Sequence, residues 1–101
     1  MLRCWTYNHD LTQKIERVAI CGGSGGKLWP KALAKGADVY LTGDIYYHIG
    51  HDMLSAGLIG IDPGHYIEQK FIGLVADKLR SFGTDVKIYE SQEKTNPFYD
   101  I

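Results

Sequence analysis

The segment DPGHYIEQ, residues 62–69, sets His65 directly after a Pro63-Gly64 turn and Glu68 one helical turn later, so an imidazole and a carboxylate can meet one cation. Two donors do not complete a metal site, so further ligands must come from elsewhere in this chain or from another. The same spacing also fits a plain surface hydrogen bond. A second stretch, TGDIYYHIGHD at residues 42–52, brings Asp44, His48 and His51 onto one helical face. These three could ligate a metal, but the simpler expectation is that Asp44 caps the helix and orients His48 by a hydrogen bond. The third stretch, CGGSGG at residues 21–26, could turn backbone N–H groups onto an anion at a helix start. It departs from the P-loop pattern, with Cys21 where glycine is needed and Leu28 where Ser or Thr is needed. A close-packed turn and an anion or substrate contact both remain open for it.

Positioning these residues requires strands that end where they begin. ERVAIC, residues 16–21, is a β-branched run that stops at the glycines, and Lys27–Lys35 follows as a helix with Pro30 in its first turn and Gly36 as its stop. ADVYLTG, residues 37–43, is a second strand, and Asp44 opens a helix from Ile45 to Ala56. LIGID, residues 58–62, is a third strand. A long helix from His65 to Phe82 then shows Ile67, Phe71, Leu74, Val75 and Leu79 on one stripe. VKIYE, residues 86–90, reads as a fourth strand, and LRCWTY near the start could add an edge strand. The aperiodic tail after Glu90 is expected to lie over a neighbour rather than form an element. Alternation at this pace predicts one α/β domain over residues 1–101, with a mostly parallel four-stranded sheet and three helices. Ligands on such sheets gather beyond the carboxyl ends of the strands, where all three candidate motifs fall.

Composition narrows the function. The 101 residues hold 11 Lys and Arg against 12 Asp and Glu, so there is no broad basic field for a nucleic-acid backbone. Apolar residues make up 45% and charged residues 23%, which excludes a disordered chain. Apolar stretches are only a few residues long, and Arg3, Asn8, His9 and Asp10 stand where a secretory signal would be hydrophobic. A cytoplasmic protein with no membrane partner is expected. Cys4 and Cys21 form no metal-type CxxC, and spacing does not tell a pair from two free thiols.

VAICGGSGG, GADVYLTGDIYYHIGHD, GLIGIDPGHYIEQ and TNPF, in this order and at these separations, resemble the carboxy-terminal half of the NIF-three-like dinuclear metal centre family, whose bacterial members carry the label GTP cyclohydrolase I type II homologue. The resemblance runs from about Ile15 to Phe98. It implies half of a two-half α/β fold, assembled as a toroidal homohexamer with two divalent ions (Zn, Mn or Fe) per complete site in the cleft between halves. It implies metal ligation by His65 and Glu68, with the remaining ligands, adjacent histidines and an aspartate, supplied by the amino-terminal half. No His-His pair occurs in this chain and His9 stands alone, so a complete centre is expected to need that missing half. Met1 just before LRCW is compatible with an expressed fragment, a split gene or a shortened gene model.

The expectation is therefore the metal-binding half of a metal-dependent hydrolase, inactive in isolation. His65 ligates one ion, Glu68 ligates or bridges, and Asp44 and His48 stand behind them to orient ligands or carry protons. The alternatives are a non-enzymatic metal-binding scaffold or regulatory assembly and, less favoured, a nucleotide-binding module built on CGGSGG.

Overall fold

A computed structural model describes residues 3–5, 11–83, 85–97 and 99. The chain forms two compact units, Met1–His65 and Tyr66–Ile101.

The first unit holds a four-stranded sheet. Its strands are β1 (Arg3–Trp5), β2 (Val18–Cys21), β3 (Val39–Thr42) and β4 (Ile59–Asp62), in the spatial order β1-β4-β3-β2. Strands β2, β3 and β4 run parallel and β1 pairs antiparallel to β4. The connections are helices, as parallel neighbours require: α1 (Trp29–Ala34) between β2 and β3, and α2 (Tyr47–Ser55) between β3 and β4. Pro30 sits in the first turn of α1, where its missing N–H costs nothing. One sheet face and the two helices enclose a core of Ala32, Ala37, Tyr40, Ile45, Met53 and Leu58, with Ala19, Cys21, Trp29 and Ile49 packed at its margin.

Register places the candidate site. Cys21 pairs with Thr42, and Leu41 with Ile61, so β2, β3 and β4 end at one edge. The loops after them begin side by side. Arg3 pairs with Asp62, which brings the start of the antiparallel strand to the same edge.

The second unit contains α3 (Lys70–Arg80), which continues from a 3-10 turn over His65–Gln69. The segment after α3 is tied back to it by side chains. Arg80 bonds Glu90 at 2.9 Å and donates to the Ile88 carbonyl at 3.2 Å, while Gln69 donates to the Glu93 carbonyl at 2.6 Å. Gln69, Glu90 and Glu93 border a polar groove of about 260 Å³. No helix among the described residues is long and apolar enough to cross a membrane.

The expected four-stranded sheet with three helices is present, but its fourth strand is β1 and not VKIYE. Residues 86–90 form no strand; the Ile88 carbonyl takes a bond from the Arg80 side chain where a strand would pair with a neighbouring backbone. The stripe on α3 has the expected spacing, yet Phe71, Leu74 and Val75 are exposed, Leu74 to 72%. The tail, expected to cover a neighbour, runs back along its own helix through Gln69.

Entry into β2 is fixed by Asp38, whose Oδ2 accepts the N–H groups of Glu16 and Arg17, each at 2.9 Å. The Glu16 and Arg17 backbone bonds, with the Arg17 charge behind them, hold this carboxyl below its ordinary value of 3.8. A depressed carboxyl contributes stability above its unfolded value that is lost as pH falls through the folded one. Asp38→Asn should therefore melt below wild type at pH 7, and the gap should close as melts are repeated down to pH 3. A gap that stays constant over that range would count against the Asp38 contact.

Candidate metal centre

The floor of the site is the Asp62 carboxylate at the end of β4, with no exposed surface. Its Oδ1 accepts the Gly64 N–H at 2.9 Å, a turn that Asp favours two residues before the bonded amide. Its Oδ2 accepts the Ile45 N–H at 2.9 Å and pairs with the half-exposed Arg3 guanidinium. One buried side chain thus fixes the residue after Asp44 and the residue before His65. Gly64 itself has φ 83, a conformation that a side chain would oppose.

Above this floor Ser24, Asp44 and His65 meet. Asp44 is the one described non-glycine residue with positive φ, 54°, which costs about 1–3 kcal/mol and persists only where neighbours over-determine it. Its Oδ2 accepts the Ser24 hydroxyl at 2.7 Å and bonds His65 Nδ1 at 3.0 Å. The Ser24 bond, followed by the His65 charge, holds the Asp44 carboxyl below the usual carboxylate value. His65 remains about half exposed, at 54%.

The glycine loop is held from β3. Thr42, buried, accepts the Gly25 N–H on its hydroxyl at 2.9 Å and donates to the Gly23 carbonyl at 3.3 Å. Tyr40 donates to the Gly25 carbonyl at 2.6 Å, and burial, with Cys21 beside it, pushes its phenol up to about 12. The Gly43 N–H takes the Gly23 carbonyl at 2.9 Å, so close that a Cβ at Gly43 would stand 2.9 Å from that oxygen. These bonds use the Gly25 N–H and the Gly23 and Gly25 carbonyls internally. Of the two readings left open for CGGSGG, the close-packed turn is the one this geometry supports at Gly25.

The expected capping role of Asp44 is corrected. Helix α2 begins at Tyr47, two residues after the expected Ile45, with Tyr46 at the N-cap and no side-chain cap. An N-cap residue takes an extended backbone, whereas Asp44 turns left-handed at φ 54° and bonds its carboxylate to His65 and not to His48. His48 and His51 are exposed on α2 and meet the Tyr47 ring edge-on, with centroids 5.4 and 4.6 Å apart. Glu68 is exposed in the 3-10 turn that begins at His65. Among the described residues no group of three or more His, Cys, Asp or Glu side chains could hold a metal ion. His9 lies outside the described residues, and Cys4 and Cys21 are free thiols. Ser24, Thr42, Tyr40 and Arg3 were not singled out by motif; only Asp62, standing last in a strand before Pro-Gly, carried a local signal.

The sequence profile of Duf34/NIF3 (NGG1p interacting factor 3) matches residues 1–97. The chain belongs to the Duf34/NIF3 family. Among NIF3 relatives, the GTP cyclohydrolase 1 type 2 homolog of Lactococcus lactis is 82% identical over 100 residues, covering 99% of this chain and 39% of the relative. The homolog of Streptococcus pneumoniae is 54% identical over 105 residues, covering 99% of this chain and 40% of the relative. A Bacillus cereus protein related to NIF3 superposes with a TM-score of 0.83 at 38% identity, covering all of this chain and 28% of that one. A Staphylococcus aureus protein does so with a TM-score of 0.88 at 32% identity, over 33% of its length. The NIF3 chain described here therefore spans about two-fifths of these bacterial homologs.

Two substitutions test this construction. A Cβ at Gly25 would stand 2.6 Å from Cys21 Sγ and 2.8 Å from both Thr42 Oγ1 and Tyr40 Oη. Gly25→Ala should destabilise the chain by about 1–3 kcal/mol, the cost of overpacking, in urea unfolding. Micromolar GTP binding by wild type that Gly25→Ala abolishes at unchanged stability would overturn the packing reading. Asp62→Ala leaves the buried Ile45 N–H unsatisfied and should cost about 1–3 kcal/mol. Arg3→Ala leaves the buried Asp62 charge without its cationic partner and should cost about 3–5 kcal/mol; the same unfolding curves compare them.

Proposed function

We propose that this chain supplies one side of a dinuclear metal centre, with His65 and Glu68 as metal ligands and hydrolysis as the reaction class. The observation that carries the reading is the 3.0 Å contact between His65 Nδ1 and the Asp44 carboxylate at the carboxyl edge of a parallel sheet. Metal-ligating histidines almost always donate their other ring N–H to such a partner, so the donor set fits a divalent ion of the Zn, Mn or Fe type. When bound, paired ions of this kind activate water and polarise a substrate oxygen or ring carbon. The chain's own residues do the rest. His65 presents Nε2, Glu68 offers a carboxylate that ligates or bridges, and Asp44 holds the imidazole. His48, exposed on the first turn of α2, is the proton carrier.

The part of the relatives' length that this chain does not span supplies the remaining ligands, and the assembly is a homo-oligomer, hexameric on the resemblance, in the cytoplasm. The name of the L. lactis and S. pneumoniae relatives points to a GTP-like substrate. Within the glycine loop the Gly25 N–H is taken by Thr42 and so does not serve a phosphate. A second reading, a metal-binding scaffold without turnover, draws on the exposed Phe71, Leu74 and Val75 of α3, a surface suited to assembly.

Calorimetry with Zn and Mn tests the ligand assignment. The chain alone should bind weakly, His65→Ala should abolish binding, Glu68→Ala should reduce it, and His48→Ala should leave it unchanged. Tight binding that survives His65→Ala would place the metal elsewhere. Supplying the rest of a full-length homolog should convert weak binding into stoichiometric binding; hydrolysis that then falls in His48→Ala separates the enzyme from the scaffold.

A further inference from the structure

The Asp44 Oδ2 atom is shared. It accepts the Ser24 hydroxyl at 2.7 Å and meets His65 Nδ1 at 3.0 Å, all within the first compact unit. An ionised carboxylate offers only acceptors, and a neutral imidazole carries one N–H and one lone pair. At 3.0 Å the contact is favourable when Nδ1 carries the proton. With the proton on Nε2, two acceptors would face each other. The shared oxygen therefore selects one tautomer of His65, in which Nδ1 carries the proton and Nε2 the lone pair.

Ser24 decides which way that oxygen points. It is the only residue of Gly22–Gly26 with a side chain, and it stands in a loop whose backbone Thr42, Tyr40 and Gly43 hold on both sides. Its hydroxyl pins the carboxylate from the loop side. The backbone of Asp44 is pinned from below, because its neighbour Ile45 is bonded to buried Asp62 and its neighbour Gly43 to Gly23. With both ends fixed, little freedom remains for the Asp44 carboxylate to turn from His65.

We propose that Ser24 is a positioning residue for the metal ligand, acting through Asp44 to hold His65 with its proton on Nδ1, and that the glycine loop is thereby coupled to the metal site. The proposal rests on the reading of His65 as a ligand for its functional meaning, and on the hydrogen-bond geometry alone for the tautomer. It gives CGGSGG a role distinct from phosphate binding: the glycines allow the tight turn, and the serine they carry reaches the carboxylate.

The test is nitrogen-15 NMR of histidine-labelled full chain without metal, at a pH where the imidazole is neutral, alongside Zn calorimetry. Wild type should show His65 as the Nδ1–H tautomer. Ser24→Ala, at an exposed position that spares the core, should give a mixed tautomer signal and about 10-fold weaker Zn binding, the lower end of the loss seen when a ligand's hydrogen-bond partner is removed. Ser24→Thr should restore both. Asp44→Asn, whose amide can donate to Nδ1, should move the proton to Nε2. A Ser24→Ala protein with the wild-type tautomer overturns the relay. If Zn binding instead survives His65→Ala, the metal reading fails, and the tautomer comparison still decides the relay.

Discussion

The site depends on one buried carboxylate. Asp62 ends β4 with no surface exposed, and its two oxygens receive Arg3, the Ile45 N–H and the Gly64 N–H. A buried charge is costly unless it is paired and fully bonded, and this one is both. Its partners come from three separate segments: the antiparallel edge strand, the loop after β3 and the loop after β4. Asp44 and His65 are the next residues along two of those segments. The distance between them is set by a side chain that touches neither, so Asp62 acts on the site through the backbone.

The same principle recurs at the glycine loop. Tyr40 and Thr42 occupy alternate positions of β3 and so project to the same sheet face, where they hold the loop that leaves the adjacent β2. Loop backbone without a ladder must satisfy its polar groups some other way, and here strand hydroxyls do it. The outcome is a loop with short bonds, no regular structure and one outward-reaching side chain, Ser24. Strand register, side-chain hydroxyls and the buried carboxylate together convert three irregular connections into a defined edge.

Much of this order was legible. The β-branched runs at residues 18–21, 39–42 and 59–62 are strands because their period and their glycine stops agree, and the family resemblance is shown by the NIF3 match. What failed to show was partnership over long separation. LRCW and VKIYE look alike as strands, and only the presence of β4 beside the first decides between them. Asp44 before IYYH reads as a helix cap because local spacing does not show that the chain turns left-handed there and gives the carboxylate to Ser24 and His65. The His65–Asp44 bond joins residues 21 apart, and Ser24 reaches Asp44 across 20. No motif spans such distances, so Ser24 looked like one more small residue in a glycine run.

Orientation and ligation are divided differently in this chain. Ser24, Asp44 and Asp62, which hold the His65 ring from the Nδ1 side, belong to the compact unit Met1–His65. Ligation on the proposed reading does not, since His65 and Glu68 are fewer donors than either structural or catalytic zinc takes from a protein. Preorganised donors lower the cost of capturing an ion, because the ring need not be ordered when the ion arrives. On the proposed reading, a chain spanning two-fifths of its relatives holds one ligand ready for donors supplied from elsewhere. Affinity would then rise steeply when the remaining donors are brought near, since their arrival adds bonds to an imidazole already committed to the correct nitrogen.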